Sequence, residues 1–196
     1  MSSMIGKVVL PLLLVGYVLF AMFRTVMGVV LPGISGEFGL DNVKAGILIS
    51  SAMLGQAFAM ASAGHLSGVA GRGASLIIGY LLLTLGMVLT SLAPDYFVCL
   101  MMFSVASFGA GIFVAMLYAF VGDMLPGSRG LLLGVTNGVF ALGGFAGPWL
   151  AGVILELHTW RDVFRPLGLA AVPILIILMI MFRKHSISTR YRISTA

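Results

Sequence analysis

From Ser75 to Leu92, and again from Pro166 to Phe182, this chain is apolar on every face of any regular structure it could adopt. Runs of that length match the roughly 20 residues that cross a bilayer as an α-helix. In hydrocarbon every backbone N–H and C=O must find its partner inside the protein, so only helices and closed barrels span. Barrel strands would alternate apolar and polar at every second residue over about ten residues. These runs do not alternate, and helices remain. Composition agrees: 60% of the 196 residues are apolar, 9% are charged and mean hydropathy is +1.15. That is more apolar surface than a water-solvated domain could hide.

Charges, prolines and glycine clusters divide the chain into six apolar segments, at 8–31, 44–64, 74–93, 96–121, 130–155 and 165–182. The connections are short, which makes neighbouring helices antiparallel members of one bundle. The expected class is an all-α membrane protein of six transmembrane helices. Its bundle occupies 1–183, and a basic cytoplasmic tail, read as irregular chain attracted to anionic lipid, occupies 184–196. The first apolar stretch follows Lys7 as a signal sequence would, but its length and Arg24 make it an uncleaved first span. Short cytoplasmic loops retain lysine and arginine. With the amino terminus inside, Lys7, Arg72, Arg129, Arg183, Lys184, Arg190 and Arg192 lie inside, against Lys44, Arg161 and Arg165 outside. The expected location is therefore the plasma or inner membrane, with both termini cytoplasmic. The net charge of +5 has no soluble domain from which to bind nucleic acid. The single Cys99 excludes an internal disulfide and reads as a small buried apolar residue. No cofactor or metal is expected.

Two glycine-rich stretches carry a more specific signal. Between the second and third apolar segments the sequence runs Gly64-His65-Leu66-Ser67-Gly68-Val69-Ala70-Gly71-Arg72-Gly73, and the fifth contains Gly143-Gly144-Phe145-Ala146-Gly147-Pro148-Trp149-Leu150-Ala151-Gly152. The first resembles the signature loop of the major facilitator superfamily, matching at Gly64, Leu66, Gly71 and Arg72. Gly68 stands where that family usually carries an aspartate that holds the inner gate, so the usual lock is in doubt. The second resembles the family's glycine and Gly-Pro pattern, commonest in its exchangers. There Gly143, Gly147 and Gly152 would let helix backbones approach and Pro148 would bend the helix. Gly122-Asp123 through Pro126 to Arg129-Gly130, Trp160-Arg161, and Leu31-Pro32 as the close of the first span fall in register with the same family. The resemblance covers most of the chain in the order of an amino-terminal half. It implies a 3+3 inverted repeat and pairing with a second six-helix half. One departure stands out: many proton-coupled members place an arginine in the fourth span where this chain has Val105. No carboxylate lies deep in a span either, which disfavours an acidic proton relay.

Arg24 is the one ionisable side chain well inside a span, about 10 Å from an expected helix end at Leu31. A charge at the bilayer centre costs about 2.5–3.5 kcal/mol on insertion scales, so something must offset it. Helical side chains lean toward the amino terminus, which aims Arg24 at the midplane and away from the outer headgroups. Tyr17, Phe20 and Arg24 share a face of the first helix. In the family resembled, spans one and four line the substrate path, which implicates these three with Ser107 and Tyr118 on span four and Asn137 on span five. Each of those residues also has an ordinary bundle-packing role open to it, as does Gln56. A guanidinium fork suits carboxylate or phosphate. The resulting expectation is a half-size secondary transporter, an organic-anion uniporter or exchanger formed by pairing two six-helix halves. A homodimer with closed two-fold symmetry is its simplest form, with a dianion between two copies of Arg24. The alternative is a non-transporting membrane scaffold or assembly subunit of a larger membrane complex. An enzyme is not expected. Gly33-Ile34-Ser35-Gly36 fits an intramembrane serine protease motif, but His65 would lie across the membrane from it and His158 in a loop, so those residues read as a turn.

Overall fold

The computed structural model of the chain describes the backbone of residues 3–124 and 129–193 and the side chains of 9–123 and 130–182. Pro126 and the side chains of Lys7, Arg129, Arg183, Lys184, Arg190 and Arg192 lie outside that set. Six helices follow one another: α1 Ser3–Phe38, α2 Asn42–Ala70, α3 Arg72–Ser91, α4 Tyr96–Met124, α5 Arg129–Leu155 and α6 Trp160–Ile193. All six are long and apolar enough to cross a membrane.

The turns are tight because specific residues stop each helix. Gly39 at φ +60° ends α1, and the Asp41 carboxylate accepts the Lys44 N–H at 2.7 Å to start α2. Asp95 accepts the Val98 N–H at 2.9 Å, and Asp162 accepts both the N–H and the hydroxyl of Thr159 at the entry to α6. Three expected boundaries are corrected. Helix α1 runs through Pro32 to Phe38, so neither Leu31-Pro32 nor the stretch from Gly33 to Gly36 forms a turn. Breaking a helix in lipid would strand backbone polar groups, whereas a proline within it loses one bond. The signature stretch is not a loop: Gly64 to Ala70 complete α2, and Gly71 alone makes the turn. The backbone of α6 stays helical to Ile193, where irregular chain was expected from 184; no glycine or proline intervenes to stop it.

The helices pair as an exchange of α1–α3 with α4–α6 requires: α1 lies along α5 as α4 lies along α2, with α3 packed on α4 and α6. Glycines set the closest seams. A Cβ added at Gly109 would lie 2.5 Å from the Leu83 nitrogen and 2.6 Å from the Gly79 carbonyl oxygen, and one at Gly86 would lie 2.5 Å from the Ala106 nitrogen. Helices α3 and α4 therefore touch backbone to backbone. On the α1–α5 seam, a Cβ at Gly143 would meet the Val18 carbonyl oxygen at 2.6 Å and one at Gly147 the Met22 Cα at 2.8 Å. Gly152 has nothing within 4 Å, and Pro148 lies within an unbroken α5. Phe23, Phe103 and Phe164 meet at tilted and edge-on angles between α1, α4 and α6, with Phe23 centred 5.2 Å from Phe103 and 5.8 Å from Phe164.

Helices α2 and α5 are the least covered of the six. Only 17% of the span is buried in each, against 44–56% in the other four. Their outward residues include Gly46, Gly64 and Gly68 on α2 and Gly134, Gly138 and Gly152 on α5, none with a neighbour within 4 Å. Leu54, Phe58, Phe145 and Trp149 are exposed beside them.

Candidate functional site

Arg24 lies fourteen residues before the end of α1, and Gln56 lies fourteen residues after the start of α2. Antiparallel neighbours joined by a short turn therefore hold them at one depth, about 21 Å from the helix ends and near the middle of a hydrocarbon layer about 30 Å thick. Arg24 Nη1 donates to Gln56 Oε1. Behind the pair, Gly111 of α4 packs against the Gln56 carbonyl and the Ala59 side chain, so α2 sits close enough to present the amide to Arg24. The two polar side chains line a cleft of about 410 Å³, open mouth included, between α1, α2 and α4. Ser107 is its other polar wall residue, and Phe20, Phe23, Met53 and Phe103 are among the apolar ones.

Among the described residues no carboxylate pairs with Arg24. Among the described residues the ion pairs are Arg72–Asp123, Arg161–Glu37 and Arg165–Asp162. All six acidic residues of the sequence stand at helix ends: Glu37, Asp41, Asp95, Asp123, Glu156 and Asp162. One charge-assisted bond, worth about 1.5–3 kcal/mol, offsets much of the insertion cost but leaves the charge in place.

Below the cleft, toward the amino-terminal end of α1, the other expected residues form a second arrangement. Tyr118 Oη donates to Asn137 Oδ1 at 3.1 Å, and the Tyr17 and Tyr118 hydroxyls lie 3.2 Å apart. Because Tyr118 has one proton to give, Tyr17 is the donor to it. Asn137 Nδ2 donates on to the Leu133 carbonyl at 3.0 Å, which completes a directed chain from α1 through α4 to α5. Phe20 stacks on Tyr17 at 5.6 Å and also lines the cleft, so it joins the two arrangements. Tyr17, Tyr118 and Asn137 do not line the cleft themselves. Thr136 turns its hydroxyl back to the Leu132 carbonyl at 2.8 Å and plays no part.

The two ends of the bundle differ. At one, Gly71 adopts φ +83° and ψ 153°, a region essentially reserved for glycine, and Arg72 pairs with Asp123 across the ends of α3 and α4. That pair is exposed, 64% and 54%, and an exposed pair contributes about 0–1 kcal/mol. Gly68 leaves the adjoining face of α2 bare. At the other end, sequence reading missed a clamp. Glu37 accepts from Trp160 Nε1 at 2.7 Å and from Arg161 Nη1 at 2.5 Å, while Arg161 Nη2 donates to the Ala93 carbonyl at 2.7 Å. The guanidinium lies 4.4 Å from the Trp160 ring centroid. This joins the end of α1 and the start of α6 to the α3–α4 turn, and the adjacent Trp160-Arg161 was its sequence signal. Glu37→Gln keeps the shape and removes the charge. Its expected cost is about 1–2 kcal/mol after screening of a partly exposed pair, read as a fall of about 3–6 °C in the detergent melting temperature.

The profile of the Major Facilitator Superfamily matches residues 13–193. The riboflavin transporter RibZ of Clostridioides difficile is 24% identical over 169 residues, covering 84% of this chain and 37% of that protein. The multidrug resistance protein Stp of Mycobacterium tuberculosis is 28% identical over 159 residues, covering 79% of this chain and 30% of that one. A bacterial homologue of the human lysosomal transporter Spinster superposes with a TM-score of 0.77 at 20% identity, over 92% of this chain and 44% of that structure. The xylose transporter XylE of E. coli gives 0.74 at 17% identity, over 88% and 47%. The chain thus spans about a third of those two curated relatives and under half of each structure. With six helices in this order and pairing, and a profile match over nearly its whole length, the chain belongs to the Major Facilitator Superfamily.

Proposed function

We propose that the chain is one half of a secondary transporter for an organic anion, working as a uniporter or exchanger once a second six-helix body covers α2 and α5. The observation that carries this reading is Arg24: a cation at mid-span, in a cleft, with a neutral partner and no carboxylate near it. A scaffold subunit has no need of such a charge. The open glycines of α2 and α5 favour a partner that packs by close backbone approach, and a second copy of this chain provides one by closed symmetry. The cleft belongs to one body, which favours one anionic group per half over a dianion shared by two.

In this reading Gly64, Gly68, Gly71 and Arg72 belong to the inner gate, Arg72 on Asp123 being the part of its charge network that the chain keeps. Tyr17, Tyr118 and Asn137 form the path wall beyond the cleft. The excess of lysine and arginine at that end supports cytoplasmic termini, with the basic stretch 184–196 at the inner surface, and is in keeping with a plasma or inner membrane. RibZ and Stp, named for riboflavin and for multidrug resistance, are in keeping with an organic solute.

The test is exchange of radiolabelled organic anions in proteoliposomes. The parent protein is expected to exchange at least one member of a carboxylate panel, and Arg24→Ala to lower that rate by about 100-fold, the effect of leaving a desolvated carboxylate without its cation. Equal rates in the two proteins would overturn the proposal.

A further inference from the structure

The partner of Arg24 is an amide, and that choice fixes what the cleft can hold. We propose that Gln56 is the residue that sets the charge preference of the site, so that the cleft between α1, α2 and α4 takes a monoanionic solute with an apolar, ring-sized body. This rests on the organic-anion reading of Arg24 and deepens it.

A guanidinium at mid-span needs an acceptor, and a carboxylate would be the stronger one. It would also cancel the charge, and an anion entering the cleft would then have to break an ion pair before gaining anything. Gln56 Oε1 supplies an acceptor of the same reach with no net charge. One of the five guanidinium N–H groups is engaged, the fork is held toward the cleft, and the full positive charge remains for a ligand. Gly111 makes this geometry possible by admitting the α2 backbone at Gln56, where a side chain would push the amide away.

The remaining walls define the rest of the ligand. Arg24 is the single charged lining residue, Gln56 and Ser107 are the polar ones, and Phe20, Phe23, Met53 and Phe103 are among the apolar ones. One charge in an apolar cleft satisfies one anionic group. A second anionic group on the same ligand would be desolvated against aromatic rings without a partner. The aromatic walls at Phe20, Phe23 and Phe103 suit a carboxylate carrying a single ring.

The experiment measures equilibrium binding of radiolabelled phenylacetate to the full chain in nanodiscs, with 2-phenylethanol, phenethylamine and succinate as competitors. The parent is expected to prefer phenylacetate over all three by at least about tenfold. Gln56→Met removes the acceptor and leaves the charge, so it is expected to weaken phenylacetate by no more than about tenfold and to keep the preference for it. Gln56→Glu is expected to weaken phenylacetate by about 100-fold and to abolish its advantage over phenethylamine. Ser107→Asp introduces the same charge from α4, is expected to give the same loss, and serves if Gln56→Glu is not recovered folded. If Arg24→Ala abolishes binding while Gln56→Glu and Ser107→Asp bind phenylacetate as the parent does, the role of Gln56 is overturned and the anion reading stands. If Arg24→Ala binds as the parent does, or the parent prefers succinate or the amine, both are overturned.

Discussion

Gly109→Leu is expected to leave no monodisperse protein in a detergent extract, whereas Gly152→Leu is expected to be recovered at the parent's yield. The two substitutions are chemically identical and both lie in spanning helices. In a helix that is nowhere crowded, leaving glycine gains about 1 kcal/mol of propensity. At Gly152 nothing lies within 4 Å of the new Cβ, so that small gain is all that changes within the half. At Gly109 the Cβ meets a backbone nitrogen at 2.5 Å and a backbone oxygen at 2.6 Å. Neither atom can rotate away, so the added carbon must push α3 and α4 apart. Overpacking by movable side chains already costs about 1–3 kcal/mol. Separating a backbone seam also loosens Gly79 and Gly86 along it, and the total approaches the roughly 5–15 kcal/mol that holds a domain together. Gly109→Ala, with the Cβ alone, is expected to fold with a melting temperature lower by several degrees. Recovery of Gly109→Leu at parental yield in size-exclusion chromatography would show that the seam is looser than its geometry.

How far such features were legible differs from residue to residue. The spans themselves could be read because lipid leaves the backbone no choice: a run such as Ser75 to Leu92 has no other stable structure. Helix ends were harder, because proline and glycine were weighed as they are in water. Ending α1 at Leu31 and starting α2 at Lys44 put Arg24 seven residues from the turn and Gln56 twelve, about 8 Å apart in depth, which hid their pairing. The true ends, Phe38 and Asn42, place them level. Arg24 itself was conspicuous as a lone charge among apolar neighbours. The glycine seams carried no comparable sign. Among 26 glycines, periodicity does not tell Gly109, pressed against α3, from Gly138, which faces nothing, because that difference lies in which helix becomes the neighbour. Helix α4 shows the same limit at Ser107, Gly111 and Tyr118. One helix face serves the cleft, the α2 seam and the Tyr17–Asn137 chain at three successive depths.

If the proposed pairing through α2 and α5 holds, Gly138→Trp on α5 and Gly46→Trp on α2 are each expected to give a single folded body where the parent gives two. Both positions point away from every other helix of the half. Among the described residues no heavy atom of another helix lies within 4 Å of where a Cβ would stand, so the indole enters free space and the melting temperature of the half stays near the parent's. Free space in one body is contact surface in a pair. Between helices in lipid there is no gain from hiding apolar area, since the tails are as apolar as leucine; association rests on close van der Waals approach at small residues. A bulky ring on that face removes the approach itself, and the effect on pairing far exceeds the effect on folding. In nanodiscs, native mass spectrometry is expected to give the parent protein component at twice 20.6 kDa and each variant at 20.6 kDa. Exchange activity is expected to vanish with the pairing, even though Arg24 and Gln56 are untouched. A parent at 20.6 kDa that still exchanges anions would refute pairing as the basis of transport, and variants that stay paired would move the interface off α2 and α5.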